Sequence, residues 1–138
     1  MKLLTWLARR FHWKSYSKTL DTAPDVDIED GVEDAVVVFL HAEQRDQAPE
    51  ARKRAFRHTL KHVKWLAGKR DFERVVLHSF THLGAENADP DFAQGFLEEL
   101  AERLRATGYD VRLTPFGYFC EWDLAVYGES LAKVWKEV

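Results

Sequence analysis

The stretch Val75-Val76-Leu77-His78-Ser79-Phe80-Thr81-His82-Leu83 decides how the rest of the chain is read. Its first half is short, apolar and β-branched, the signature of a strand covered on both faces, and it predicts a strand from Arg74 to Phe80. Some thirty residues later Thr114-Pro115-Phe116-Gly117-Tyr118 follows a second short strand, Tyr109 to Leu113, and bends the backbone before an aromatic. Two strand ends that carry a histidine, two phenylalanines and a tyrosine around a glycine bend have the makings of a small-ligand pocket in an α/β fold.

Working outward, Leu3–Ala8 reads as one strand and Phe11–Tyr16, alternating ring and polar residue, as a second. Thr19–Gly31 contains Pro24, has no periodicity and predicts a mobile loop. Asp34–Ala42 holds the buried run Ala35-Val36-Val37-Val38-Phe39-Leu40. Pro49 suits the first turn of a helix that buries Phe56, Leu60, Val63 and Leu66 and stops at Gly68. Asp89-Pro90 opens a second helix with Phe92, Phe96, Leu97, Leu100 and Leu104 on one face, and Gly108 ends it. Tyr118–Tyr127 reads as a long strand and Ser130–Glu137 as a closing helix. The expected fold is an α/β sheet with two main helices, in a single domain spanning residues 1–138.

Composition narrows the function. Hydrophobic residues make up 46% and charged residues 31%, as in ordinary globular domains. No apolar run approaches the roughly 20 residues that cross a bilayer, and the start, with Arg9-Arg10 after a short apolar run, lacks a signal peptide's cleavage site. Cys120 is the sole cysteine, which rules out an intrachain disulfide or a Cys-rich zinc site and fits a reducing cytoplasm. Net charge is −3, yet residues 21–34 hold seven acids and no base, and residues 51–70 hold eight Lys or Arg and no acid. The basic helix sets Trp65 off the apolar stripe, near His58 and Lys61, with Lys64 preceding it in the candidate RNA-binding set. It reads either as a stacking platform for RNA or as a ring packed in a subunit interface or under a loop. His58 and His62 have helical i, i+4 spacing, but the HExxH glutamate is missing, so a solvated basic face is expected and no metal. His82 can act as a general base, donate to a substrate carbonyl, or only satisfy backbone. Cys120 is either a thiol nucleophile or a small buried residue. No Walker loop, GxSxG elbow or GxGxxG fingerprint is present, and no cofactor is expected.

At Ala35–Glu43, Phe80-Thr81-His82-Leu83, Asp89-Pro90, Thr107-Gly108 and Pro115-Phe116-Gly117-Tyr118 the chain resembles the archaeal-type editing domain of threonyl-tRNA synthetase. Its fold is shared with D-aminoacyl-tRNA deacylases, and the likeness runs over about the C-terminal two-thirds. The resemblance implies a domain that removes serine from mischarged threonine tRNA, binding the 3′ aminoacyl-adenosine largely through main chain. It implies His82 as the active-site histidine, and Phe116 and Tyr118 as pocket walls, with Phe80, Thr81, Leu83, Pro115 and Gly117 around the substrate. Cys120 stands where the family carries a lysine, and Lys133 where it carries an acid in the final helix. A homodimer acting in trans on tRNA is the expectation, without the synthetase's catalytic and anticodon-binding domains. The alternatives are a degenerate module that binds a nucleotide, an aminoacyl-tRNA end or a protein partner without turnover, and a hydrolase that uses Cys120 covalently.

Overall fold

A computed structural model describes residues Met1–Val138. Six strands and two helices follow in the order β1 (Lys2–Lys18), β2 (Glu29–His41), α1 (Pro49–Gly68), β3 (Arg74–Ser79), α2 (Pro90–Ala106), β4 (Asp110–Leu113), β5 (Tyr118–Val126) and β6 (Lys133–Glu137). They form one mixed sheet in the order β4-β3-β2-β1-β5, and β6 also pairs with β1. Strands β2, β3 and β4 run parallel, and α1 and α2 are their crossovers. Strand β1 is antiparallel to β2, β5 and β6.

Both helices pack on one face of the sheet. Phe56, Val63 and Leu66 of α1 and Phe96, Leu100 and Leu104 of α2 close over Val36, Val38, Leu40, Val75 and Leu77. Each such side chain removed from water contributes about 1.5–3 kcal/mol, which is what holds two otherwise charged helices to the sheet. Pro49 and Pro90 stand in the first turns, where a missing N–H costs nothing. Gly108 follows α2 with φ +98, the left-handed turn that releases the chain into β4.

The other face holds no helix. Its core is Ala35, Val37, Phe39 and Val76, joined by Ala8, Phe11, Trp13 and Val32. Phe39 is 1% exposed because rings surround it: Trp6 at 4.5 Å, Trp122 and His78 at 4.7 Å, and Phe80 at 5.0 Å between centroids. Strict alternation along β1 would send Phe11 and Trp13 to the helix face. They join Ala8 instead because the strands kink at Arg9 and Asp34: Asp34 has φ +49, and the β1–β5 register shifts between Ala8 and Arg10.

That kink explains one departure from the sequence expectation. Arg9-Arg10 suggested a break between two strands, but β1 is continuous. Arg10 makes a paired bond to Asp123, and the Arg9 guanidinium lies 4.9 Å from the Tyr127 ring, so both cations are held against β5 and the residue that follows it. A second departure is the C-terminus. Ser130–Glu137 is not a helix: a single 3₁₀ turn at Ser130–Ala132 leads into β6, which pairs with Lys2–Trp6. The first half of β1 has no other partner on that side, and a ladder with β-prone Val134 and Trp135 satisfies more backbone than two helical turns would. The ends of the chain meet here. Val138 N–H donates to the Met1 carbonyl at 3.0 Å, and the Met1 ammonium reaches Asp46 at 2.8 Å and Glu43 at 3.0 Å.

Candidate active site

Beyond the C-terminal ends of β3 and β4 lies a cavity of about 560 Å³. In a parallel α/β arrangement this is where ligands bind, because the crossover loops diverge there. One wall is His78, Ser79, Phe80, Thr81 and His82, where β3 ends. The facing wall is Pro115–Cys120 and Trp122, where the bend enters β5. Asn87, Ala88, Pro90 and Ala93 at the start of α2 close one end, with Ala42, Thr19 and Leu20 completing the ring. The two motifs singled out in the sequence therefore converge on one space. Leu83 is the exception among the expected substrate contacts: it does not line the cavity, and its N–H donates to His41 Nδ1 at 3.1 Å.

None of the lining side chains is a Lys, Arg, Asp or Glu. The fixed polarity comes instead from the hydroxyls, the imidazoles, Asn87 and the main chain. Around the two motifs, the N–H groups of Thr81, His82, Phe116 and Gly117 make no backbone hydrogen bond.

The bend owes its shape to Gly117, at φ +80. A Cβ there would sit 3.0 Å from Ala23 Cβ and 3.3 Å from Leu20 Cβ. Its carbonyl accepts from Thr19 N at 2.7 Å. Tyr118 fastens the same segment: its hydroxyl donates to Pro24 O at 2.6 Å and accepts from Val26 N at 3.0 Å. Of the stretch Thr19–Gly31, expected to be mobile, residues 19–28 are thus tied down at several points and Glu29–Gly31 belong to β2. Ser15 Oγ accepts from Ile28 N, and Lys18 pairs with Asp25, adding two more. The Tyr118 hydroxyl is committed to that loop, leaving its ring to the cavity.

His82 is exposed, makes no hydrogen bond within the protein, and meets Phe80 edge to face at 5.1 Å. A purely structural histidine bonded to backbone is therefore not what this residue is. His78 differs in every respect. It is 4% exposed, its Nδ1 lies 2.7 Å from Thr114 Oγ1, and burial holds it down at about 4, so it is neutral at pH 7. Phe80 stands between the two imidazoles, in ring contact with each. Burial pushes the Cys120 thiol up, and neither imidazole bonds to it, the reverse of an activated nucleophile. No group of three or more His, Cys, Asp or Glu side chains is arranged to hold a metal ion.

Lys61, Lys64 and Trp65 lie on α1, away from the cavity lining. Trp65 is 45% exposed, with Lys69 at 4.9 Å over its ring and the His62 ring at 5.9 Å. His62 departs from the solvated basic face on which His58 and Lys61 stand exposed. It is buried, and its Nε2–H donates at 3.0 Å to Thr5 Oγ1, whose own proton goes to Val134 O. Burial, with Lys136 adding to it, holds His62 at about 4. Lys133 likewise does not face the cavity: it begins β6 and its Nζ donates to Tyr127 O.

Sequence reasoning passed over two residues. His41, fully buried at the end of β2, accepts from Leu83 N–H at Nδ1. Its Nε2–H therefore donates to Glu86 O at 2.9 Å and Asn87 Oδ1 at 2.7 Å. One ring thereby shapes the loop from residue 83 to 87. Only its position as the polar terminus of an apolar run hinted at this. Trp122 was the other, and its signal was plain: two residues after Cys120 on a strand, it shares that side chain's face.

Comparison with known proteins fits this geometry. The family profile described as the archaea-specific editing domain of threonyl-tRNA synthetase matches residues 1–138, wider than the C-terminal two-thirds that carried the resemblance. A threonine–tRNA ligase of Thermofilum pendens is 29% identical over 136 residues, covering 97% of this chain and 22% of that protein. One from Thermococcus kodakarensis is 31% identical over 104 residues, covering 75% of this chain and 16% of that protein. The chain thus spans about a fifth of the length of the curated relatives it matches. Among solved structures, the c-Myc DNA unwinding element binding protein superposes with a TM-score of 0.66 at 13% identity, over 100% of this chain and 99% of that one. That likeness concerns the fold, a mixed sheet with two helices of the D-aminoacyl-tRNA deacylase-like kind. With the profile spanning its full length, the chain belongs to the archaea-specific editing-domain family of threonyl-tRNA synthetase.

Proposed function

We propose that the domain is an aminoacyl-tRNA deacylase that acts in trans, releasing an amino acid wrongly esterified to the 3′ adenosine of tRNA, with serine on threonine tRNA as its first substrate. The observation that carries this is the convergence of residues 78–82 and 115–120 on one uncharged cavity at the strand ends. Such a space suits a ribose ester, whose reacting atoms carry no net charge until the transition state. Water adds to the ester carbonyl, the carbonyl oxygen becomes an oxyanion, and the C–O bond to ribose breaks as a proton passes to the departing ribose oxygen. The N–H groups of Thr81, His82, Phe116 and Gly117 are the donors available to that oxyanion. His82, unbonded and exposed at the wall, is free to orient the water or the carbonyl. Phe116 and Tyr118 supply apolar walls for the adenosine. No part of this requires Cys120 as a nucleophile, in line with its raised thiol.

The partner is the tRNA acceptor end, with the basic face of α1 available to phosphate. A homodimer would cover the helix-free sheet face, where Trp122 is 42% and Trp135 is 55% exposed. The test is release of labelled amino acid from tRNA charged with L-serine, L-threonine or D-amino acids, with the His82→Ala variant alongside and light scattering for mass. Release from seryl-tRNA above the spontaneous rate, falling at least about 10-fold in the variant, supports the reading. Spontaneous rates on every charged tRNA would remove it. The second reading, a module that binds without turnover, is favoured by the absence of any cationic side chain in the cavity where the family carries a lysine. Binding of an uncleavable 3′-aminoacylamino-adenosine without hydrolysis of the ester selects it.

A further inference from the structure

The cavity contains a polar group that nothing in the proposed chemistry uses. His78 sits on β3 with 4% of its surface exposed, walled by Phe39 at 4.7 Å and Trp122 at 5.3 Å between ring centroids. Its Nδ1 is taken by Thr114 Oγ1 at 2.7 Å, and Thr114 is itself 7% exposed. Its Nε2 has no partner within the protein. Nor is that atom sealed away: the one enclosed side-chain nitrogen or oxygen left without a partner is Trp13 Nε1. The imidazole therefore keeps access to the cavity it lines, at the buried end of the His78–Phe80–His82 series of rings.

We propose that His78, steadied by Thr114, is a specificity-determining residue of this cavity, its Nε2 hydrogen-bonding the neutral polar group at the innermost end of the ligand. The inference rests on the deacylase reading: with the ribose ester near exposed His82, the part of the substrate that reaches His78 is the aminoacyl side chain. Three observations favour a hydroxyl there. The lining holds no Lys, Arg, Asp or Glu, so a carboxylate or ammonium beside His78 would be desolvated without a counter-charge. An apolar side chain would bury Nε2 with its hydrogen bond unmade. A hydroxyl both donates and accepts, so it suits either neutral tautomer that the Thr114 contact allows.

The test compares 3′-L-serylamino-adenosine with 3′-L-alanylamino-adenosine, two uncleavable probes that differ by one hydroxyl. Titrations use wild type, His78→Phe and His78→Gln. Wild type is expected to bind the seryl probe about 10-fold tighter. His78→Phe should lose that preference while keeping its affinity for the alanyl probe, and His78→Gln, which offers a polar atom at similar reach, should recover part of it. Because a ring swap in packed surroundings can spoil folding, imidazole ¹⁵N spectra of the wild-type protein give a second readout. The His78 Nε2 resonance should move with the seryl probe and much less with the alanyl one. An undiminished seryl preference in folded His78→Phe, or a silent resonance on seryl binding, overturns the assignment and leaves the deacylase reading intact. Failure of both probes and of adenosine to bind overturns the two together.

Discussion

Lowering the pH from 7.5 to 5 should remove a large part of this protein's stability through two buried histidines. His62 and His78 are each held at about 4 in the folded chain, both mainly by burial, against about 6.5 when unfolded. A depressed histidine stabilises the fold while it is neutral in both states. Its contribution is fully present above the unfolded value and is lost as pH falls from about 6.5 toward 4, where only the unfolded chain takes up the proton. At pH 5 the loss is about 2 kcal/mol per histidine, so about 4 kcal/mol together, a large share of the 5–15 kcal/mol typical of a domain. No charged side chain contacts His78, whose ring neighbours are Phe39, Phe80 and Trp122; Lys136 opposes a charge on His62. The assay is urea unfolding at the two pH values, followed by tryptophan fluorescence, for wild type, His62→Gln and His78→Gln. Each variant should shrink the difference between pH 7.5 and pH 5 by about half, whatever it costs at pH 7.5. Variants that retain the full difference would refute the assignment.

Three other outcomes follow from the geometry. Gly117→Ala forces a Cβ into a left-handed residue and against Ala23, and should cost about 1–3 kcal/mol in chemical denaturation and weaken ligand binding. Burial alone would raise the Glu43 carboxyl, but bonds from Lys2, the Met1 ammonium and Arg45 outweigh it and hold it at about 2; Glu43→Gln should therefore abolish about 3 kcal/mol of the stability that wild type loses between pH 4.5 and 2. Cys120 should react with iodoacetamide at neutral pH more slowly than a free model thiol, as followed by mass spectrometry, and faster labelling would reopen the covalent reading.

The elements legible in the sequence were those with a strong local signal. Pro49, Pro90 and Gly108 punctuated both helices, and the valine-rich runs at 35–40 and 75–77 could only be interior strands. The convergence of His82 with Phe116 and Tyr118 was legible because both segments end parallel strands at the same edge of the sheet. What was lost depended on distant partners. Ser130–Glu137 has a helix-like spacing, and only the open edge of β1 makes it a strand. His62 has the composition of an exposed residue around it, and only Thr5, 57 residues away, explains its burial. Residues 19–28 look loose in isolation; Tyr118, over ninety positions later, is what pins them. Helical and strand periods are written locally, whereas these three outcomes are settled by long-range closure.

Within this domain strand β1 is synthesised well before β5 and β6, which pair with opposite halves of it. Until they arrive, β1 holds a long row of unanswered amides beside bare aromatic rings, the kind of template that recruits strangers. Contacts this remote along the chain also slow folding, on the scale of milliseconds to seconds. The cavity, whose wall includes the start of β5, is therefore among the last features of this domain to form, and a chain halted before Tyr118 would own most of a sheet and no binding site.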